Sequence, residues 1–165
     1  MSDAAPPKRA SAALIILLVV AGGVCFLLLP FIGIVAAIAI PNFLTMQMKA
    51  KRSEIPANVD GIKTAELSYD AAFDEFISVS SRREAEAELA QGGGEQRPWR
   101  GGSQWEKLGW RPDGTVRGVY WVEASSDQRS FTVYGLCDVD GDGDYAEFKA
   151  SDEANARMTT PAGVY

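Results

Sequence analysis

Histidine is absent from the chain, and cysteine occurs only twice in 165 residues. Without an imidazole the commonest general base and the commonest zinc ligand are both missing. Serine-histidine, cysteine-histidine and zinc-hydrolase schemes are therefore excluded in their usual forms. Paired carboxylates abound, yet no nucleophile constellation singles out an active pair, so the chain reads as a non-enzyme with no small-molecule substrate. Cys25 lies in the most apolar stretch and Cys137 in a predicted strand far downstream, and no bridge between them is expected. A basic surplus is also lacking: 16 Lys and Arg against 22 Asp and Glu leave a net charge of -6, which argues against a nucleic-acid binder.

Charge itself is missing from a long segment. After Lys8 and Arg9 no charged side chain occurs until Lys49, and from Ala12 to Ile40 almost every residue is Ala, Val, Ile, Leu, Phe or Gly. A bilayer core of roughly 30 Å needs about 20 such residues in a helix, so the stretch is long enough to span a membrane. The expected organisation is a cytoplasmic tail over 1–11, a transmembrane helix over 12–41 and an extracytoplasmic domain over 42–165. Basic residues flank the span on both sides, and the amino terminus is placed inside because a translocated C-terminal domain fits a signal-anchor layout. A cleaved secretory signal ending at Ala37-Ile38-Ala39 competes with this reading, but that site comes too late. A lipoprotein reading would use Cys25, where the bulky Val24 precedes it. A buried core helix is disfavoured by the length of the charge-free run. Pro30, after Gly22-Gly23, predicts a bend rather than a stop.

Beyond Pro41 the pattern becomes amphipathic. Ile55, Val59, Ile62, Tyr69, Phe73 and Phe76 recur at helical spacings, with Ala65 in the gap, and Asp60, Lys63, Asp70 and Asp74 lie opposite. Pro56 fits the first turn of a helix capped by Ser53. Arg82 to Gln91 forms at most a short helix, and the segment to Gly114 reads as a long loop pinned by Trp99, Trp105 and Trp110. Trp99 and Arg100 as a binding surface is the competing reading. Val116 to Ala124 and Ser130 to Cys137 are rich in Val, Tyr, Phe and Trp and read as adjacent antiparallel strands, with a shorter third from Tyr145 to Ala150. A helix packed across such a sheet is an α+β arrangement.

Between the second and third strands stands "DVDGDGDYAEF". Asp138, Asp140 and Asp142 alternate, with Gly143 next and Asp144 after it, as in the first half of a calcium loop. The position of the bidentate glutamate is Lys149, and Glu147 comes two residues early. Asp138, Asp140, Asp142, Asp144 and Glu147 are thus candidate ligands for a structural Ca²⁺ that rigidifies the loop, and an acidic turn without metal is the alternative.

The run "GIVAAIAIPNFLTMQMKAKRSEIPANVDGIKTAELSYDAAF" resembles the first helix of type IV pilins and of the pseudopilins of type II secretion. The matching features are Gly33, Ala36 to Ile40, Pro41-Asn42-Phe43, Lys49 to Arg52, Ser53-Glu54, and Asn58, Ile62, Ala65, Glu66 and Tyr69. "LGWRPDG" ahead of an aromatic strand is similar to the loop entering the sheet in pilin-like proteins. The resemblance implies a long N-terminal helix, transmembrane in its first half and amphipathic in its second, packed on a small antiparallel sheet. It also implies a single-pass protein of the cytoplasmic membrane, its domain periplasmic or extracellular and its partners other pilin-like or secretion-system subunits. In that family a leader ends in glycine before phenylalanine, and a glutamate registers each subunit. Counted back from Gly33 and Pro41, those positions fall on Val19, Val20 and Val24, so the leader-cleavage motif and the registering glutamate are lacking. A tethered, non-assembling binding module is the rival reading.

Overall fold

The computed structural model describes residues 11–92 and 94–165. The expected tail over 1–11, Ser11 apart, lies outside the described residues, as does Gly93. The chain divides into two units, Met1–Thr45 and Met46–Tyr165.

Helix α1 (Ala12–Arg52) carries both Pro30 and Pro41 in its interior and continues through each. Neither proline donates an amide, so the carbonyls of Phe26 and Ala37 lose their partners four residues on. The Thr45 hydroxyl donates back to the Pro41 carbonyl at 3.0 Å. No residue of α1 is buried, and Phe26 is 79% exposed. Among the described residues this is the one helix long and apolar enough to cross a membrane.

Helix α2 (Glu54–Phe73) opens the folded unit. Ser53 stands at its start but does not cap it. Its backbone is already helical and its hydroxyl donates to the Ala50 carbonyl at 2.6 Å, so it serves the end of α1 instead. The buried residues of α2 are Ile55, Val59, Ile62, Glu66 and Tyr69, a 4-3-4-3 stripe along one face. Phe76 is buried beyond the helix end, whereas Phe73 is 63% exposed. The helix closes at Asp74 in a left-handed conformation, φ 56°, which turns the chain before Phe73 is covered.

The main sheet has the order β3-β4-β5-β6, all antiparallel: β3 (Val119–Ala124), β4 (Phe131–Cys137), β5 (Ala146–Ser151) and β6 (Arg157–Met158). The first predicted strand is broken. Its beginning forms β2 (Thr115–Val116), paired with β1 (Arg97–Pro98) in a separate ribbon, and β3 resumes after Arg117 and Gly118. A Cβ at Gly118 would collide with the Ile55 side chain, so α2 approaches the backbone closely there. The same holds at Gly135, where a Cβ would stand 2.7 Å from both Ile55 and Val59.

The sheet is covered on both faces. Tyr120, Val122, Phe131, Val133, Cys137, Ala146, Phe148 and Ala150 join the α2 stripe in the main core. Val119, Trp121 and Leu136 point the other way and pack under Ala85 and Leu89 of α3 (Arg82–Gly92). Trp121 stacks on Tyr134 with centroids 4.7 Å apart and planes 7° apart, the two residues being register partners. Arg82 lies over the Trp121 ring while bonding Glu86 at 2.8 Å and Glu147 at 3.1 Å. Short helix α4 (Ser103–Leu108) brings Trp105 and Leu108 into the main core. The last residues return to Arg52, whose guanidinium bonds the Val164 carbonyl and lies over the Tyr165 ring, and the Tyr165 carbonyl accepts from the Val139 amide.

Candidate functional site

The acidic loop joins β4 to β5. Gly141 and Gly143 both have positive φ, 74° and 88°, a conformation that side chains with a Cβ rarely adopt, and this curls the loop tightly. Asp138 is 6% exposed. One of its carboxylate oxygens accepts from the Gly141 amide at 2.7 Å and the other from the Gly143 amide at 3.2 Å. Asp142 accepts from the Asp144 amide at 2.8 Å. One carboxylate oxygen each from Asp138, Asp140 and Asp142 lies within 4.8 Å of the others. Partial desolvation, together with the neighbouring charges of Asp142 and Asp138, raises the Asp140 carboxyl above the usual range.

The structure thus brings together three of the five candidate ligands. Asp144 and Glu147 lie outside that group. Glu147 sits on β5 on the face turned toward α3, where it pairs with Arg82 and accepts from the Thr159 hydroxyl at 3.0 Å. Alternation along β5 explains this: Ala146 and Phe148 face α2, so Glu147 faces the opposite side.

The loop is braced from behind. A Cβ at Gly94 would run into the Asp138 carbonyl and stand 2.8 Å from the Val139 Cα, so the segment after α3 packs backbone to backbone on the start of the loop. Cys137, just before it, is wholly buried, and burial pushes its thiol up to about 12, which leaves it unreactive.

Helix α1 offers a surface of another kind. Leu, Ile, Val and Phe stand exposed on every side of it. Cβ positions at Gly22, Gly23 and Gly33 would meet nothing, so these glycines are open to approach by a neighbouring helix.

Glu66 enters the sequence reading only as part of the pilin resemblance, and its burial is what that reading missed. It is 0% exposed, within the α2 stripe, and one of its oxygens accepts from the Ile77 amide at 3.2 Å. The other has no hydrogen-bond partner among the described residues. Burial raises the carboxyl to about 7, against which the Ile77 amide pulls down. The signal was its spacing: four residues after Ile62 and three before Tyr69, it completes the apolar stripe.

A stretch of 55 residues, 33% of this chain, is 36% identical to the type IV major pilin protein PilA of Myxococcus xanthus (strain DK1622). The match spans 25% of that relative's length. No protein-family model matches the chain, and no solved structure does. The chain therefore carries a pilin-like segment, and its long N-terminal helix with a small antiparallel sheet is consistent with a pilin fold.

Proposed function

We propose that this chain is a membrane-anchored, pilin-like structural or assembly component of a type IV pilus or type II secretion-like system, without enzymatic activity. The observation that carries the reading is α1, apolar on all sides with no residue buried, in a chain similar over 55 residues to a major pilin. A helix of that kind is stable only where lipid or other helices cover it. In this reading residues 12–41 cross the cytoplasmic membrane once, the amino terminus lies inside, and residues 42–165 form a periplasmic or extracellular domain. Partners are other pilin-like or secretion subunits, met by helix-helix packing at Gly33, Ala36, Ala37 and Ala39. The acidic loop takes a structural Ca²⁺ on Asp138, Asp140 and Asp142.

The test is crosslinking in native membranes through Ala37→Cys in a Cys25→Ser background. A crosslinked dimer is expected, since each chain then carries one accessible thiol and Cys137 is buried. Monomer alone would overturn assembly and leave the tethered, non-assembling module as the reading. Release of the protein by alkaline carbonate would overturn anchoring itself. Mass spectrometry of the extracted chain reports processing: the Val19, Val20 and Val24 sequence predicts an intact terminus, and a new terminus in that interval contradicts it.

A further inference from the structure

Three clefts meet at the half-buried indole of Trp99. One of about 470 Å³ is walled by Trp99, Trp105 and Trp110, with Glu106 and Arg111 at its edges. A second of about 380 Å³ runs from Trp99 and Trp105 past Ser103 and Gln104 to Glu84. A third of about 440 Å³ leaves Trp99 and Arg111 over Pro112 toward Asp113. The first shares Trp105 with the second and Arg111 with the third, so the clefts border one another around an aromatic centre with polar arms, and together they are called the groove. Pockets of this size hold small ligands.

The centre is preorganised. Trp99 meets Trp105 at 5.3 Å and 74° and Trp110 at 5.4 Å and 89°, edge-to-face contacts that fix the ring planes. Trp105 is anchored in the core. A Cβ at Gly101 would stand 2.7 Å from Trp99 Nε1, so glycine there lets the indole lie where it does.

The charges define what fits. The ion pairs among the described residues are Arg82–Glu86, Arg82–Glu147 and Arg97–Glu88. Glu106 and Arg111 therefore border the aromatic cleft without an ionic partner. A quaternary or primary ammonium would meet the guanidiniums of Arg100 and Arg111, and a polyanion would meet Glu84, Glu88, Glu106 and Asp113 along the groove. A neutral ligand with an apolar face for the indoles and hydroxyls for a carboxylate on one side and a guanidinium on the other satisfies every group.

We propose that this groove binds a neutral oligosaccharide, with one pyranose ring against the Trp99 centre, hydrogen-bonded to Glu106 and Arg111, and its neighbours in the polar arms. The site goes beyond the membrane role and stands or falls independently of it.

The test uses the full chain in a detergent without a sugar headgroup, titrated with cellotriose and with chitotriose and followed by tryptophan fluorescence and calorimetry. Saturable binding of at least one is expected, with Trp99→Ala weakening it tenfold or more. Because Trp99→Ala also perturbs packing, the exposed double variant Glu106→Gln/Arg111→Gln is the second arm. It should weaken binding about fivefold, roughly 1 kcal/mol, at an unchanged melting temperature. No saturable binding of either sugar up to about 10 mM, a very weak affinity, overturns the proposal. So does an unchanged affinity in the double variant, or tighter binding of tetramethylammonium or trigalacturonate than of the neutral sugars.

Discussion

Helices α1 and α2 follow one another with only Ser53 between them, yet they solve opposite problems. In α1 apolar side chains surround the axis and none is buried. In α2 they form one stripe, and Ile55, Val59 and Ile62 are wholly buried. Burying a large aliphatic side chain is worth about 1.5–3 kcal/mol. The sheet supplies that for α2, while the charge-free part of α1 up to Thr45 must obtain it from outside the chain. The difference teaches that helix length carries little information here, and that the angular spread of apolar residues names the solvent each helix requires.

Truncation should separate the two regions most sharply. Ile62→Ala opens a cavity between α2 and the sheet and is expected to cost about 2–5 kcal/mol in denaturant unfolding of the detergent-solubilised chain. Leu28→Ala in α1 should leave that value within about 0.5 kcal/mol. Equal losses from both would mean that α1 shares the core of the folded unit. A charge inverts the comparison. Leu28→Arg places a guanidinium near the middle of the charge-free run, where it disfavours insertion by about 2.5–3.5 kcal/mol, and it should move protein from the membrane to the soluble or aggregated fraction. Undiminished membrane retention would remove α1 as the span.

Much of this contrast is readable in the residues themselves. The charge-free run announces α1, and the spacing of Ile55, Val59, Ile62 and Tyr69 announces α2. The same spacing places Phe73 on that face, because periodicity does not reveal that the chain turns at Asp74. The strands are legible from their branched and aromatic residues, but the break at Gly118 depends on a helix approaching from a distant part of the chain. The second covered face was written in "VYWV" of β3, apolar at successive positions, as a strand buried on both sides requires. Of the acidic loop, the alternation of Asp138, Asp140 and Asp142 gave the convergent group. Pleating and the partner Arg82 took Glu147 elsewhere, and neither is visible in local spacing.

Glu66 breaks the α2 side of the comparison from within, as a carboxyl in an apolar stripe. Its folded value of about 7 lies above the ordinary 4.5, so between those values the folded chain holds a proton that the unfolded chain has released. Stability from this group is complete below pH 4.5, falls as pH rises through about 7, and is lost above it. The shift corresponds to about 3 kcal/mol at 1.36 kcal/mol per unit. Glu66→Gln keeps an acceptor for the Ile77 amide without the charge. Unfolding free energies measured from pH 5 to pH 8 should decline in the wild type and flatten in the variant. Parallel curves would show that Glu66 does not titrate with folding.

The smallest effect sharpens the comparison at its polar end. Three carboxylates held within 4.8 Å repel one another, and a divalent cation would relieve that repulsion without touching α1. Asp138 is already fixed by two glycine amides, so a cation would order chiefly Asp140 and Asp142, which are exposed. At free Ca²⁺ tenfold above its dissociation constant, binding to the folded state alone adds about 1.4 kcal/mol. In a folded unit of this size that raises the melting temperature by roughly 4–8 °C. Asp140→Asn removes one ligand charge and one repulsive neighbour together. It should therefore melt slightly higher than wild type in chelator and lose most of the calcium increment, while the membrane partition of both proteins stays the same. A melting temperature indifferent to millimolar Ca²⁺ and to chelator would reduce the loop to an acidic turn held by Gly141 and Gly143, and leave the dependence on surrounding lipid or helices to α1.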